Sequence, residues 1–258
     1  MRRRDVVKMA GISTAALVAG RARVLGQADG KERKMTKCLS CGAIGVVANQ
    51  ERAIELAAKH GFESVEADAG FLAGLDQGAA DALVGEMKGM GLELGYSALP
   101  VEFRRDEETF KRGLDELPKK AAGLKRAGLK RVGTWLMPCH NELTYLENFK
   151  QHVDRLREVA KVLGDSGLML GFEYVGTATL VASRKYSFLH TMAETRELND
   201  AIGTGNVGLV LDSWHWWQAG DSAEAIRGLK SEEIALVDLN DAPKGVEKNA
   251  QVDGRREL

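Results

Sequence analysis

Three carboxylates in this chain stand where a carboxylate is hardest to keep. Glu173 closes the apolar run Leu168-Met169-Leu170-Gly171-Phe172, Asp212 closes Val207-Gly208-Leu209-Val210-Leu211, and Asp238 closes Ile234-Ala235-Leu236-Val237. Burying a carboxylate is costly unless it is paired, hydrogen-bonded or bound to a metal. At the ends of successive runs they would converge on one rim and offer hard oxygen ligands. Such a set suits Mn or Mg, and a histidine beside it, here His215, widens the choice to Co or Zn. The competing expectation is that each carboxylate only caps the helix after it. With no ion bound the charges should repel one another, so Asp212→Ala is expected to stabilise the protein while abolishing metal affinity.

The elements that must carry these residues recur along the chain. Short β-prone runs fall near 37–42, 63–67, 92–97, 130–135, 168–173, 207–211 and 234–239, with amphipathic stretches between most of them. Ala53, Ile54, Ala57 and Ala58 mark one helical face, stopped by Gly61. Phe110, Leu114, Leu117, Ala121 and Leu124 mark a second, with Asp106 as N-cap and Pro118 expected to kink or split it. Leu146, Phe149, Val153, Leu156, Val159, Ala160 and Leu163 mark a third, behind the capping-box spacing of Thr144 and Glu147 and ahead of Gly164-Asp165-Ser166-Gly167. Strand and helix in alternation imply a parallel sheet with helical crossovers. Gly42-Ala43-Ile44-Gly45 lacks a dinucleotide-binding spacing, and no lysine phosphate loop occurs. The even rhythm and polar strand ends favour an α/β fold of the TIM-type (β/α) barrel, with chemistry at the strand C-termini.

Gly171-Phe172-Glu173, Leu211-Asp212-Ser213-Trp214-His215-Trp216 and Leu239-Asn240-Asp241-Ala242-Pro243 resemble the sugar phosphate isomerase/epimerase family of xylose isomerase-like barrels. The resemblance runs from about residue 37 to the end. It implies one divalent metal held by a Glu, an Asp, a His and a final Glu. Glu173 matches the first ligand and Asp212 the second, while His215 matches a position that touches substrate hydroxyls beside the metal. Asp238, in Val237-Asp238-Leu239-Asn240-Asp241, stands where the family has its ligating His. Arg255-Arg256-Glu257-Leu258 resembles the lead into an eighth strand, so the barrel is expected to be incomplete, with about seven strands. The activity so implied is metal-dependent isomerisation or epimerisation of a sugar, polyol or related hydroxy-carbonyl compound through an enediolate. Glu173 would then act as the base and His215 beside it. Alternatives on the same fold are a truncated, non-catalytic sugar-binding barrel and an apurinic endonuclease-like hydrolase.

Further residues are candidates for the substrate. Glu66 ends the second strand and either faces the pocket or caps a helix. Trp135 ends the fourth and either walls a sugar face or packs the barrel. His140 follows on a loop, and Arg256 lies in the terminal segment. Arg184 and Lys185, past the fifth strand, either meet a phosphate or carboxylate or are merely solvated. Of Trp214, Trp216 and Trp217, some must be core. Cys38-Leu39-Ser40-Cys41 is a lone CxxC; with Cys139 it makes an odd count of three cysteines and no zinc or disulfide framework.

Residues 1–28 read as a twin-arginine-like export signal, cationic through Arg2-Arg3-Arg4 and Lys8, then short and apolar, with 29–36 as linker and 37–258 as the barrel domain. The expected location is therefore periplasmic or otherwise extracytoplasmic. The apolar run is too short for a membrane span. The formal net charge is −1 over 258 residues, and the leader holds six basic residues against one acidic, so the remainder is mildly acidic. That balance argues against nucleic acid as a partner. A small sugar or polyol substrate is expected, with a homo-oligomer as an open option.

Overall fold

The apolar runs become strands because their Val, Leu, Ile and Phe side chains are covered from both sides, as in parallel sheets wrapped by helices. A computed structural model describes residues 35–255. The element order is β1 (Cys38–Leu39), α1 (Gln50–Lys59), β2 (Ser64–Ala67), α2 (Ala69–Ala73), α3 (Gln77–Gly89), β3 (Glu93–Ala98), α4 (Glu107–Arg126), β4 (Arg131–Trp135), β5 (Cys139–His140), α5 (Tyr145–Asp165), β6 (Met169–Glu173), α6 (Ala178–Val181), β7 (Tyr186–Ser187), α7 (Met192–Ile202), β8 (Val207–Asp212), α8 (Ser213–Ala219), α9 (Ala223–Arg227) and β9 (Ile234–Asp238). The expected leader, 1–28, and Arg256 lie outside the described residues.

Seven strands form one parallel sheet in the order β1-β2-β3-β4-β6-β8-β9. This is barrel order. Among the described residues β1 and β9 are its two edges, with no ladder between them, as expected of an incomplete barrel. The sheet nevertheless curls on itself. A Cβ added at Gly133 of β4 would meet Leu236 of β9 at 2.6 Å, and one at Gly171 of β6 would meet Ala235 of β9 at 2.6 Å. Glycine at these two positions lets β9 approach the interior face of β4 and β6.

The outer helices obey their sequence signals. Asp106 caps α4 through the Thr109 amide at 2.8 Å, Gly61 follows α1 at φ +71°, and Thr144 and Glu147 make the capping box of α5. Phe110, Leu117, Ala121 and Leu124 are buried, as are Leu156, Val159, Ala160 and Leu163. Of the two outcomes expected at Pro118, the split does not occur: α4 runs unbroken from Glu107 to Arg126. The proline lies on the exposed face, where the carbonyl it leaves unpaired can be solvated, while the buried face holds the helix together. Leu146 stands 77% exposed, because the first turns of α5 direct Tyr145, Asn148, Phe149 and His152 inward and leave Leu146 off that face. A further antiparallel ribbon, β5 with β7, had no visible signal, since two residues per strand set up no alternation.

Candidate metal centre at the strand C-termini

Glu173 is the last residue of β6, and Asp212 the last of β8. In the parallel ladder Glu173 pairs with Val210, two residues before Asp212, so both side chains leave the same face of the sheet. Asp212 turns the chain directly into α8. Its Oδ1 accepts from the amides of Trp214 at 2.8 Å and His215 at 3.0 Å, and its Oδ2 accepts from Asn240 Nδ2 at 2.6 Å. The helix-capping expectation therefore holds for Asp212, and so does its place in the cluster.

That cap fixes where His215 lies. The imidazole is 1% exposed. Its Nε2 is 3.7 Å from Glu173 Oε1 and 4.0 Å from Asp253 Oδ1, and its Nδ1 is 3.5 Å from Thr177 Oγ1. Gly176 makes this contact possible: a Cβ there would meet the His215 carbonyl and the Ala219 amide at 2.6 Å. One ligand atom from each of Glu173, Asp212 and His215 lies within 4.8 Å of the other two. Two ligand atoms of one ion stand at most about twice the metal–ligand distance apart, and that distance is roughly 2.0–2.6 Å. The three residues pass that test, and one imidazole with two carboxylates is a donor set for a divalent cation.

Asp238 lies outside this group, although it is the register partner of Asp212. It is half-buried, and its charge is felt by Cys38 of β1 and Tyr96 of β3. Burial, then the charges of Glu66 and Asp238, push the Cys38 thiol up to about 11 and the Tyr96 hydroxyl up as well. The imidazole expected to touch substrate hydroxyls thus joins the Glu173–Asp212 cluster, and the charge of the carboxylate expected at the third ligand position is felt on the β1–β3 side of the mouth.

The remaining candidates separate into two places. Glu66 accepts from Ser40 Oγ at 2.6 Å and lines a cavity of about 590 Å³ over β1, β2 and β3. Trp135 and His140 line another, of about 250 Å³, beside β4. Trp135 is 40% exposed and carries the Arg104 guanidinium 4.6 Å from its ring centre. His140 turns Nδ1 to the amides of Glu142 and Leu143, at 3.0 and 2.8 Å. Of the three tryptophans around His215, Trp214 is core, and Trp217 is 39% exposed beneath Lys248. Cys38, Cys41 and Cys139 are free thiols.

Several partners went unnoticed in the sequence. Ser213 and Asn240 exchange hydrogen bonds of 2.7 and 2.9 Å, locking the end of β8 to that of β9. Both stand inside the two quoted motifs, which was the available signal. Gln251 is 2% exposed and accepts from Trp214 Nε1 at 2.8 Å and Gln218 Nε2 at 2.7 Å, while its carbonyl accepts from Thr179 at 2.7 Å. It pins the terminal segment over α6 and α8 and brings Asp253 to His215. No pattern in the sequence marked it.

The chain belongs to the xylose isomerase-like TIM barrel family, whose pattern matches residues 54–257. A xylose isomerase domain protein from Alicyclobacillus acidocaldarius subsp. acidocaldarius is similar at 29% identity and TM-score 0.75, over 86% of this chain and 78% of that one. The IolI protein, solved with a bound zinc atom, shares the fold at 22% identity and TM-score 0.68, again over 86% and 78%. Inosose isomerase of Bacillus subtilis (strain 168) is 24% identical over 148 residues, 57% of this chain and 51% of that enzyme. The chain thus spans about half the length of that curated relative. No helix among the described residues is long and apolar enough to cross a membrane.

Proposed function

We propose that this protein is an isomerase or epimerase of a sugar, inosose-like polyol or related hydroxy-carbonyl compound, working with one divalent cation. The observation that carries the reading is the grouping of Glu173, Asp212 and His215 within 4.8 Å at the strand C-termini of a barrel of this family. The relatives support it: inosose isomerase in sequence, and among shared folds a D-psicose 3-epimerase and a 3-keto-D-glucoside 4-epimerase. Glu173, Asp212 and His215 would hold the cation. When bound, it supplies Lewis acidity toward a carbonyl oxygen and its neighbouring hydroxyl, which acidifies the C–H between them.

Within that frame the chain's own groups divide the work. Glu173 is 15% exposed, open enough to reach substrate, and takes the proton from the carbon beside the carbonyl, then returns it to the neighbouring carbon or the opposite face. His215, held by the Asp212 cap and by Thr177, turns Nε2 toward Glu173, where it would complete the donor set for the cation. Asn240 orients the Asp212 carboxylate, and Gln251 holds the terminal segment closed over α8, keeping water from the enediolate. Residues 1–28 are read as an export leader, so the reaction would take place outside the cytoplasm.

The test is solvent exchange. Incubated with an inosose or a ketohexose in deuterated buffer with Mn or Zn, the protein should introduce deuterium at the carbon beside the carbonyl, and Glu173→Gln should stop it. Isomerisation with complete retention of the substrate hydrogen would contradict the enediolate path.

A further inference from the structure

The 250 Å³ cavity beside β4, lined by Trp135, His140 and Arg184, lies apart from the Glu173, Asp212 and His215 cluster and has the make-up of a binding site. Its floor is one face of α5, where Asn148 and His152 stand one turn apart, each 3% exposed. His152 is wedged between Phe103 and Phe188. Its Nδ1 sits 2.9 Å from the Asn148 carbonyl, so Nδ1 carries the hydrogen and Nε2 presents a lone pair. That Nε2 is fully buried and has no hydrogen-bond partner among the described residues. Burial holds the imidazole pKa down to about 4, so the ring stays neutral and an acceptor. A buried acceptor left unmatched by protein marks a place for a ligand's donor.

The walls and mouth supply the complementary signal. Trp135 offers a ring face, and its strand neighbour in register is Glu173, so the cavity opens beside the metal centre. Arg104 is held by Glu102 at 3.1 Å. Arg105 and Arg184, also lining the cavity, have no acidic partner within 4.0 Å among the described residues. Three guanidiniums against one carboxylate leave the cavity positive in a chain whose formal net charge is −1.

We infer that this cavity is the subsite for an anionic oxygen group on a polyhydroxylated substrate. Arg105 and Arg184 take the anion, Trp135 takes the carbon skeleton, and His152 Nε2 accepts from a hydroxyl. The substrate class, given the isomerase reading on which this inference rests, is then a sugar acid or sugar phosphate rather than a neutral sugar. Guanidinium pairs with carboxylate and phosphate through the same fork geometry, so both remain within the class.

The experiment titrates the full chain, without added metal, against D-glucuronate, D-glucose 6-phosphate and D-glucose by calorimetry. One or both anionic sugars should bind roughly tenfold or more tightly than glucose. The stronger of the two names the group as carboxylate or phosphate. The double variant R105Q/R184Q should erase the preference, and His152→Phe should weaken the binding of the anionic sugar while leaving the preference in place. Equal affinity for all three, no binding of any, or an unchanged preference in R105Q/R184Q would overturn the subsite. A parallel divalent-cation titration keeps the readings apart: no cation binding with the sugar preference intact would sink the metal centre alone.

Discussion

Asp212 Oδ1 accepts a hydrogen bond of 3.0 Å from the backbone amide of His215, the residue whose imidazole joins the same cluster. One carboxylate thus sets the start of α8, and through it the position of His215. The proposed ligation and the helix cap would be two uses of one side chain.

The coupling reverses the expectation for Asp212→Ala. Alanine would strand two buried amides and the Asn240 side chain, three hydrogen bonds in all. Relief of charge repulsion is set against that loss, and a cap with its buried partner is the larger effect at about 2 kcal/mol. Asp212→Ala should therefore lower stability by about 2 kcal/mol in urea denaturation. Asp212→Asn, which keeps the cap, should cost less while still losing the cation.

His152 should give the protein an acid-sensitive component. Its folded pKa, about 4, lies below the ordinary 6.5 because burial disfavours the charged ring. The unfolded chain therefore binds the proton more readily. The stability from this group is complete above pH 6.5 and is lost as pH falls toward 4, by about 3 kcal/mol in all. Denaturation midpoints measured between pH 7 and 4 should fall more steeply for the wild type than for His152→Phe. Parallel slopes would contradict this.

Gln251→Ala should loosen the terminal segment. It removes the acceptor shared by Trp214 Nε1 and Gln218 Nε2 and leaves both donors buried. The expected cost is about 1–3 kcal/mol. Amide exchange should quicken around residues 246–253, with α5 unaffected. Uniform exchange across the chain would show that the segment is not held locally.

The strand ends were legible because a carboxylate closing a buried apolar run is conspicuous, and the glycine and cap signals fixed α1, α4 and α5. What stayed hidden depended on contacts between distant residues. Asp212 and Asp238 look equivalent in sequence, yet only Asp212 turns into a helix whose third residue, His215, can swing back to Glu173. His152 reads as one more position in the helical pattern of α5. Only the packing of Phe103 and Phe188 around it shows that its ring is buried with an unmatched nitrogen. The tie from Gln251 to Trp214 spans 37 positions without any periodic signal.

Cys38 should be a slow thiol. Desolvation, then the charges of Glu66 and Asp238, hold it near 11 against the unfavourable thiolate, with the Ser64 hydrogen bond opposing. Alkylation by iodoacetamide at pH 8 should run at least tenfold slower in the folded protein than in urea. Asp238→Asn should speed it modestly. No change on unfolding would contradict the buried, anionic surroundings assigned to this side of the barrel mouth.

The most direct test of the account is calorimetric titration of Mn and Zn into the full chain and into His215→Ala. Alanine at 215 keeps the backbone amide that Asp212 caps, so α8 should stay folded, which a thermal melt checks. The wild type should bind one cation per chain, and His215→Ala should bind it at least about 100-fold more weakly. Equal affinity in the two proteins would show that Glu173, Asp212 and His215 do not form a metal centre.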